Sequence, residues 1–283
     1  MIASGGNRIE WAELPVAVHA AVAEVLGAPV ARAVSQPGGF SPGSADRVET
    51  AAGTRAFVKA VSPAQNAGSP ELHAREGRIA ALLPAGVPAP RLLGAREVGD
   101  WQVLVLEDVP GRHPALPWRP EELAPVVAAL ETLAAVGTPC PVPDLPTARE
   151  SLAGELPEWA LVHLDGDCLV HLDLRADNLL LTGGRAVLVD WPHACTGPVW
   201  LDLLALLFEV DRLGDEGLAE DVLRTSPLTR DVDPGVLTTV LAGFAHFFLT
   251  RAAEPDPPGL PTLRAFQRVQ GEALERWVSR RRG

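Results

Sequence analysis

The chain has 283 residues, of which 47% are hydrophobic and 21% charged, and its formal net charge is −12. This length and composition predict a folded globular protein of one large domain or two smaller ones. The charge excludes nucleic acid as the expected partner, because phosphates would be repelled over most of the surface. The charge is compatible with a cationic small substrate, although charge alone favours ordinary acidic solubility.

The cysteines and the apolar runs bear on the compartment. The three cysteines, Cys140, Cys168 and Cys195, show no CxxC spacing, so we expect neither a disulfide framework nor a zinc site. We identify no signal peptide at the N-terminus. The apolar runs 201–210 and 236–249 are too short or too interrupted to span a bilayer, which takes about 20 residues. We therefore expect a soluble cytoplasmic protein, monomeric or homodimeric, with no membrane partner.

The first part of the chain is rich in predicted strands. Apolar residues at helical spacing predict a helix over 9–26, with Pro15 near its start. Another helix is predicted over 70–83. Strands are predicted at 30–35, 46–51, 55–61, 91–97 and 101–107. Together these elements predict a five-stranded sheet with one internal helix.

The remainder of the chain is predicted to be mainly helical. The predicted helices cover 120–136, 147–156, 198–213, 234–250 and 261–279, and a strand pair covers 179–181 and 186–189. The terminal Arg280, Arg281 and Arg282 are expected to form a frayed tail. We predict an α+β fold with an N-terminal lobe, 1–107, a hinge at 107–112 and a C-terminal lobe, 108–283. This order is the two-lobed plan of a kinase.

The run from His171 to Asn178 carries the groups that phosphoryl transfer requires. Asp173 follows His171 by two residues, Asn178 follows Asp173 by five, and Asp190 comes after the predicted strand pair. In phosphoryl transfer one carboxylate receives or orients the attacking hydroxyl, while an amide oxygen and a second carboxylate hold Mg²⁺. A strand-end acid that caps a turn is the alternative for Asp190. Its apolar neighbours favour metal binding, because they make an uncompensated carboxylate costly.

The tripeptide His-Leu-Asp occurs twice, and only the second copy has a partner amide. Five residues after Asp165 stands Val170, which cannot hold a metal, whereas Asn178 stands five residues after Asp173. The second copy is therefore the predicted site. Asp165 and Asp167 are expected to lie in a solvated turn or at the rim of a substrate site.

Lys59 is the only lysine among 24 basic residues, which indicates a position where a compact ammonium is needed. Chance survival on the surface is the alternative. Glu76, on the helix that follows, would pair with Lys59 in a kinase architecture and aim it at the α- and β-phosphates. A solvent-facing helix acid is the alternative for Glu76. Upstream, Gly38, Gly39, Phe40 and Ser41 lie in a loop that can approach phosphates, although most Gly/Pro clusters between strands are plain hairpin turns.

Five segments, in order, resemble the aminoglycoside phosphotransferase family, which belongs with choline-kinase-like enzymes in the protein-kinase-like fold. They are GGFSPGSADRV before Lys59, REGRIAALL with GVPAPRLLG, VLVLEDVPGR, HLDLRADNLLL and AVLVDWPHACTGPVWLDLLAL. The resemblance covers about residues 36 to 210. Two positions depart from the family: Leu172 replaces the usual glycine, and Arg175-Ala176-Asp177 replaces the usual His-Pro-Gly.

The resemblance implies transfer of the γ-phosphate of ATP, with Mg²⁺, to a hydroxyl of a small molecule, by preference an aminoglycoside-like antibiotic. It thus implies a resistance enzyme. A metabolic kinase acting on choline, homoserine, a sugar or an amine is the alternative, and a nucleotide-binding pseudokinase or regulatory protein is another. Acids of the second lobe are available to a cationic acceptor, although charged faces are usually just solvated. They are Asp144, Glu155, Glu158, Asp165, Glu209 and Asp211.

The resemblance also assigns a role to individual residues. Asp173 would be the catalytic base, and Asn178 and Asp190 would ligate Mg²⁺. For the nucleotide, Lys59 braced by Glu76 would bind the phosphates, Gly38 to Ser41 would cover them, and the backbone from Glu107 to Val109 would meet the adenine. His171, beside Asp173, and Asp202 would buttress the catalytic loop. A simple stabilising role in the first turn of a helix is the alternative for Asp202.

Overall fold

A computed structural model describes residues 8–36, 42–215, 217–257 and 262–283. These residues form two compact units. The first comprises the described part of Met1–Leu82 together with Ala89–Pro110, and the second comprises Leu83–Pro88, Gly111–Pro257 and the described residues from 262 onward. The short segment Leu83–Pro88, which sequence reasoning placed in the first lobe, groups with the second unit.

The first unit is built on the predicted five-stranded antiparallel sheet. Its strands are β1 (Val30–Ser35), β2 (Ser44–Thr50), β3 (Arg55–Val61), β4 (Leu92–Val98) and β5 (Trp101–Glu107). They lie in the order β1-β2-β3-β5-β4. In the central strands Lys59 lies opposite Ala45 on one side and Leu104 on the other, so these three side chains share one face of the sheet.

Helix α1 (Val16–Leu26) covers the other face of the sheet. Its apolar side chains join those of the strands in one buried cluster: Leu14, Val18, Val22, Val48, Ala56, Val58, Ala60, Val103 and Val105. The helix is shorter than the predicted 9–26, because Pro15 has no amide hydrogen and is tolerated only at the start of a helix. The residues before it form a separate 3-10 turn, Trp11–Glu13.

Helix α2 (Ser69–Leu82) packs on the face of the sheet that carries Lys59. The contact is close at Gly77, where an added β-carbon would lie 2.8 Å from Leu104 Cδ2. A larger residue would push the helix away from β5 or displace Leu104. The small residue at this position therefore keeps the preceding residue, Glu76, near the sheet.

The second unit is mainly helical. Its helices are α3 (Pro120–Val136), α4 (Ala148–Ser151), α5 (Glu158–Leu161), α6 (Leu201–Leu213), α7 (Leu218–Thr225), α8 (Pro234–Ala252) and α9 (Leu263–Arg282). Two antiparallel strand pairs accompany them, β6 (Cys168–Val170) with β9 (Cys195–Gly197) and β7 (Leu179–Thr182) with β8 (Arg185–Leu188). Leucines of α6 are fully buried at the centre of this unit. The α+β, protein-kinase-like fold class predicted from the sequence is confirmed.

Two helical predictions in this unit differ from the structure. The helix predicted over 147–156 is only the short α4, which ends at Ser151 with Leu152 as its C-cap, and Gly154 further on has a left-handed φ of 78° that a helix does not continue through. The prediction of a frayed arginine tail is wrong, because α9 continues to Arg282. Arg280 lies 2.5 and 2.7 Å from the two carboxylate oxygens of Asp211, and Arg281 lies 2.6 Å from Glu220.

Helix α8 is long and apolar enough to cross a membrane by length and composition, and among the described residues it is the one helix of which this is true. Its 19 residues exceed the apolar run that the sequence suggested. The helix packs against α5 and α9 within the second unit. Core helices of soluble proteins have the same length and composition, so this is weak evidence for a membrane.

Candidate functional site

In the first unit the structure brings Lys59 and Glu76 together. The Nζ atom of Lys59 lies 2.8 Å from each carboxylate oxygen of Glu76. The side chains are 13% and 4% exposed, and charges this far from water need a partner to remain charged. The pair thus holds an ammonium group at one place on the sheet. Its role toward phosphates stays a prediction.

Glu76→Gln is expected to weaken ATP binding and to lower the free energy of unfolding by up to about 3 kcal/mol, since removing one partner of a buried ion pair is costly. Thermal unfolding without nucleotide and calorimetric titration with ATP measure the two effects. Glu71→Gln is the matched control, because Glu71 lies on the same helix and pairs with Arg78 in an exposed position. An unchanged ATP Kd in Glu76→Gln would contradict the predicted role.

The segment from Glu107 to Val109, predicted to meet the adenine, is held by arginines of the sheet. Arg47 Nη2 donates to the Val109 carbonyl at 3.1 Å. The Asp108 carboxylate, 2% exposed, lies 3.3 Å from Arg47 Nε and 2.6 Å from Arg55 Nη2. The side chains of Arg47, Arg55 and Asp108 line a cavity of about 280 Å³, together with Arg32. Sequence reasoning missed this network, and the adenine contact stays a prediction.

The predicted phosphate loop, Gly38, Gly39, Phe40 and Ser41, lies outside the described residues, so its role stays a prediction. The described residues on either side are held by hydrogen bonds. The fully buried Asp46 carboxylate accepts from the hydroxyl groups of Ser35 and Ser44. These bonds join the end of β1 to the beginning of β2.

In the second unit Asp202 holds the start of the catalytic loop. It lies in the first turn of α6, and its two carboxylate oxygens accept from the N–H groups of His171 at 2.7 Å and Leu172 at 2.9 Å. Burial raises the pKa of the Asp202 carboxyl to about 6, and the two N–H donors oppose that rise. The group is therefore ionised at neutral pH. These are the contacts predicted for a residue that supports the catalytic loop. They reach beyond the first turn of its own helix.

His171 is fully buried and acts through its neighbours. Its Nε2 lies 3.0 Å from the Val189 carbonyl oxygen, and its Nδ1 accepts from the Asp173 N–H at 3.3 Å. A carbonyl only accepts, so these contacts favour a neutral ring with the proton on Nε2. The ring also packs edge-on against Trp191, with centroids 4.6 Å apart. His171, predicted as catalytic beside Asp173, is therefore a positioning residue that links Asp173 to the segment before Asp190.

Leu172 has a left-handed backbone, with a φ of 66°. This conformation suits glycine and costs other residues about 1–2 kcal/mol. The hydrogen bond from the Leu172 N–H to Asp202 holds the strained residue in place. The loop thus keeps, with leucine, a backbone conformation that favours the glycine usual in the resembling family.

We expect Leu172→Gly to be more stable than Leu172→Ala by about 1 kcal/mol, because both lose the same side-chain contacts and only alanine keeps the strain. Elsewhere in a folded chain alanine is usually the more stable of the two residues, by roughly 0.5–1 kcal/mol. Urea unfolding of the two variants measures the difference. An alanine variant at least as stable as the glycine variant would contradict the account of this residue.

Asn178 is bound to Asp173 in a way that leaves one atom for a cation. Its Nδ2 donates to the Asp173 carbonyl at 2.7 Å and to the Asp173 carboxylate at 3.0 Å. Both partners are acceptors, so the amide nitrogen must face them and the amide oxygen faces elsewhere. The Val189 N–H donates to the Asn178 carbonyl at 2.9 Å, which ties Asn178 to the residue before Asp190. Asp190 has a φ of 71°, a conformation that aspartate tolerates better than most residues.

These two side chains offer oxygen ligands of the kind that Mg²⁺ prefers. Within the described residues, no group of three or more His, Cys, Asp or Glu side chains is placed to hold a metal ion. A pair of protein ligands is sufficient for Mg²⁺, which usually keeps several waters and takes substrate phosphates as further ligands. Asn178 and Asp190 therefore fit a Mg²⁺ ion that binds together with the phosphates of a nucleotide.

The side chain of Asp173 is 36% exposed, whereas Asn178 is buried. Burial of the loop raises the pKa of the Asp173 carboxyl, and the negative charges of Asp190 and Asp177 raise this pKa further. The positive charges of Arg175 and His193 lower it. A raised pKa favours acceptance of a proton at neutral pH. The carboxylate thus suits the predicted base.

Of the six acids suggested for a cationic acceptor, four already have partners in the second unit. Glu155 pairs with Arg251, Glu158 with Arg149, Glu209 with the Trp118 indole and the Ala176 N–H, and Asp211 with Arg280. Asp144 and Asp165 are exposed. The predicted turn that contains Asp165 and Asp167 is an exposed segment between α5 and β6. An acceptor would therefore meet few uncommitted carboxylates among these six.

The sheet with its Lys59–Glu76 pair and the helical unit with its Asp173, Asn178 and Asp190 group define a protein-kinase-like protein. A family model described as the APH phosphotransferase enzyme family matches residues 142–234. This stretch contains the whole run from His171 to Asp202. The resemblance predicted from the sequence is thereby confirmed for this part of the chain. Among curated proteins, no significant match was found.

Solved structures are similar over most of the chain. A thermostable mutant of the aminoglycoside phosphotransferase APH(4)-Ia, in a ternary complex with ADP and hygromycin B, has a TM-score of 0.61 at 15% identity, covering 92% of this chain and 98% of that one. Spectinomycin phosphotransferase APH(9)-Ia, with ADP and spectinomycin, has a TM-score of 0.57 at 10% identity, covering 90% and 91%. A putative fructosamine-3-kinase from Haemophilus somnus has a TM-score of 0.58 at 10% identity, covering 94% and 96%. At these identities the likeness shows the fold.

Proposed function

We propose that the protein transfers the γ-phosphate of ATP to a hydroxyl group of a small molecule, with Mg²⁺ as cofactor. One observation carries the proposal: Asn178 donates to both the carbonyl and the carboxylate of Asp173. Its amide oxygen is then left to act as a ligand for a cation, and the hairpin that follows Asn178 ends just before Asp190. The family match over residues 142–234 supports the phosphotransferase class.

In the proposed reaction the transfer is direct and in line, without a phosphoenzyme. The acceptor oxygen bonds to the γ-phosphorus, the bond from that phosphorus to the bridging oxygen of ADP breaks, and Asp173 takes the hydroxyl proton. Asn178 and Asp190 would hold Mg²⁺, which offsets the charge of the phosphates when bound. Lys59, held by Glu76, would bind the α- and β-phosphates.

An aminoglycoside-like antibiotic is the first acceptor to test. Two of the similar structures contain hygromycin B and spectinomycin, and the net charge of −12 suits a cationic compound. On this proposal the protein acts in the cytoplasm and confers resistance to the antibiotic.

A metabolic acceptor such as choline, homoserine, a sugar or an amine is the second candidate. The observation that favours it is the pairing of Glu155, Glu158 and Asp211 with arginines. Carboxylates already neutralised in this way contribute little to recognition of a polycation. Intact Lys59 and Asp173 count against a third candidate, a nucleotide-binding pseudokinase.

An acceptor screen separates these candidates. The purified chain, ATP and Mg²⁺ are incubated with aminoglycosides, choline, homoserine, sugars and amines, and the products are analysed by mass spectrometry. We expect one class of compound to gain a phosphoryl group, and growth with the corresponding antibiotic shows whether resistance follows. A screen in which no compound is phosphorylated and no ADP forms would overturn the proposal.

A further inference from the structure

Helix α6 carries a second carboxylate that contacts the catalytic loop. Glu209 lies two turns after Asp202 in this helix, so the two side chains leave the same face. Asp202 binds N–H groups that precede Asp173 in the chain. The Oε2 atom of Glu209 accepts from the Ala176 N–H at 2.9 Å, beyond Asp173. One helix thus holds the loop on both sides of the candidate base.

Ala176 begins the 3-10 turn Ala176–Asn178, whose last residue is the predicted metal ligand. The first N–H groups of a helical turn have no partner within the turn, and the preceding residue, Arg175, provides no side-chain cap. The Glu209 carboxylate supplies the acceptor instead. The Asn178 N–H donates to the Arg175 carbonyl at 3.0 Å, so the position of Asn178 depends on the turn that Glu209 holds.

The Glu209 carboxylate is itself fixed by a tryptophan. Trp118 is fully buried, and its indole Nε1 donates to the same Oε2 atom at 3.1 Å. The Trp118 backbone N–H donates to the Leu213 carbonyl at 2.7 Å, at the end of α6. A side chain restrained in this way loses little further freedom when it binds the loop. Such a carboxylate is suited to setting the position of another residue.

We propose that Glu209 is a positioning residue that holds Asn178 where its amide oxygen can bind Mg²⁺. This proposal rests on the proposed phosphotransferase function. Glu209 acts through the Ala176 N–H and the turn rather than by contact with the metal. Hydrogen-bond partners behind a metal ligand orient that ligand, and their loss usually lowers metal affinity about 10- to 100-fold.

A counter-ion role toward Arg175 is the alternative for Glu209. Burial raises the pKa of the Glu209 carboxyl, and the donors on Ala176 and Trp118 lower this pKa. The charges of Asp177 and Arg175 also act on the carboxyl, in opposite directions. The two roles have different requirements, because a counter-ion needs a negative charge, whereas binding the Ala176 N–H needs only an acceptor oxygen. Glutamine provides that oxygen without the charge.

The test compares Glu209→Ala, Glu209→Met and Glu209→Gln in the full chain, by thermal unfolding with ATP over a series of Mg²⁺ concentrations. Alanine and methionine have no acceptor oxygen, and methionine keeps an unbranched side chain. In both variants the Mg²⁺ concentration that gives half of the stabilisation should rise about 10-fold, the lower end of the range for such partners. Glu209→Gln should stay close to the wild type. With the acceptor from the screen, kcat of the alanine and methionine variants should recover as Mg²⁺ is raised.

Glu220→Ala is the matched control, because the Glu220 carboxylate of α7 also accepts from the indole of a fully buried tryptophan, Trp277, at 2.6 Å. This variant should unfold at a lower temperature without nucleotide and keep the wild-type Mg²⁺ response.

Three results would overturn the role of Glu209 and leave the phosphotransferase function standing. The first is a wild-type Mg²⁺ response in Glu209→Ala and Glu209→Met, and the second is a loss in Glu209→Gln as large as theirs. The third is failure of both acceptor-free variants to fold while Glu220→Ala folds, since the carboxylate would then serve stability. If the wild-type chain gains no stability from Mg²⁺ with ATP and transfers no phosphoryl group, the proposed function fails, and the role of Glu209 fails with it.

Discussion

Asp173→Asn should lower the single-turnover rate of phosphoryl transfer by about 10²- to 10⁴-fold, the contribution usual for general acid–base catalysis. Asparagine has nearly the same shape as aspartate, and its oxygen can accept the hydrogen bond that Asn178 donates at 3.0 Å. It cannot take the proton of the acceptor hydroxyl. The variant should therefore stay folded and bind ATP, and rapid-quench measurement at saturating substrates isolates the lost step.

The chain provides its own control for this experiment. Asp165 stands in the same His-Leu-Asp tripeptide as Asp173, but it lies in an exposed segment and has no amide partner five residues on. Asp165→Asn should keep full activity. Equal losses in the two variants, or full activity in Asp173→Asn, would contradict the assignment of the base.

Asp190→Asn should remove the Mg²⁺-dependent part of ATP binding and lower the turnover rate at least about 100-fold, since even outer partners of a metal site cost 10- to 100-fold. Asparagine tolerates the left-handed backbone of this position, where φ is 71°, so the fold should persist. Thermal unfolding with ATP, with and without Mg²⁺, measures binding. Wild-type protein should gain stability from Mg²⁺ that the variant does not.

Asp144 is the matched control for Asp190, because it also has a left-handed backbone, with a φ of 57°. It is exposed in a loop between α3 and α4. Asp144→Asn should show the same Mg²⁺ effect as the wild type. A Mg²⁺ effect that survives in Asp190→Asn would show that the metal is held elsewhere.

Much of the fold could be predicted because its signals are local. Strands β3 and β5 have the predicted bounds, since each is a short apolar run between turn residues. Helix α7 was missed, because its eight residues are fewer than a periodic pattern needs to stand out. The helix predicted over 147–156 is only α4, which ends at Ser151, because the chain then turns in a way that periodicity does not reveal.

The candidate site likewise has contacts that the sequence could predict and contacts that it could not. Asp173, Asn178 and Asp190 lie within one short stretch, so their spacing was visible in the sequence. The contacts of Arg175 with Phe266 and of Arg47 with Val109 join residues far apart in the chain, and no spacing rule identifies such pairs. The partners of Glu155 and Asp211 are likewise distant arginines. Sequence reasoning therefore predicted the candidate residues within one stretch and missed the charges that surround them.

At Leu172 the backbone geometry explains how the loop accommodates a departure from the family motif. Sequence comparison could identify only that leucine replaces the usual glycine. The structure adds that the residue is left-handed and that Asp202 accepts its N–H. The loop conformation is thus maintained by a carboxylate thirty residues further along the chain.

Transfer of an isotopic label tests the central claim most directly. ATP carrying ¹⁸O in its γ-phosphoryl group is incubated with the protein, Mg²⁺ and the acceptor panel, and the products are weighed by mass spectrometry. We predict a labelled phosphoryl group on one class of acceptor with the wild-type chain, and at most a trace with Asp173→Asn. Labelled phosphate on no acceptor and no conversion of ATP to ADP, in a protein shown to be folded, would contradict the assignment of a phosphotransferase.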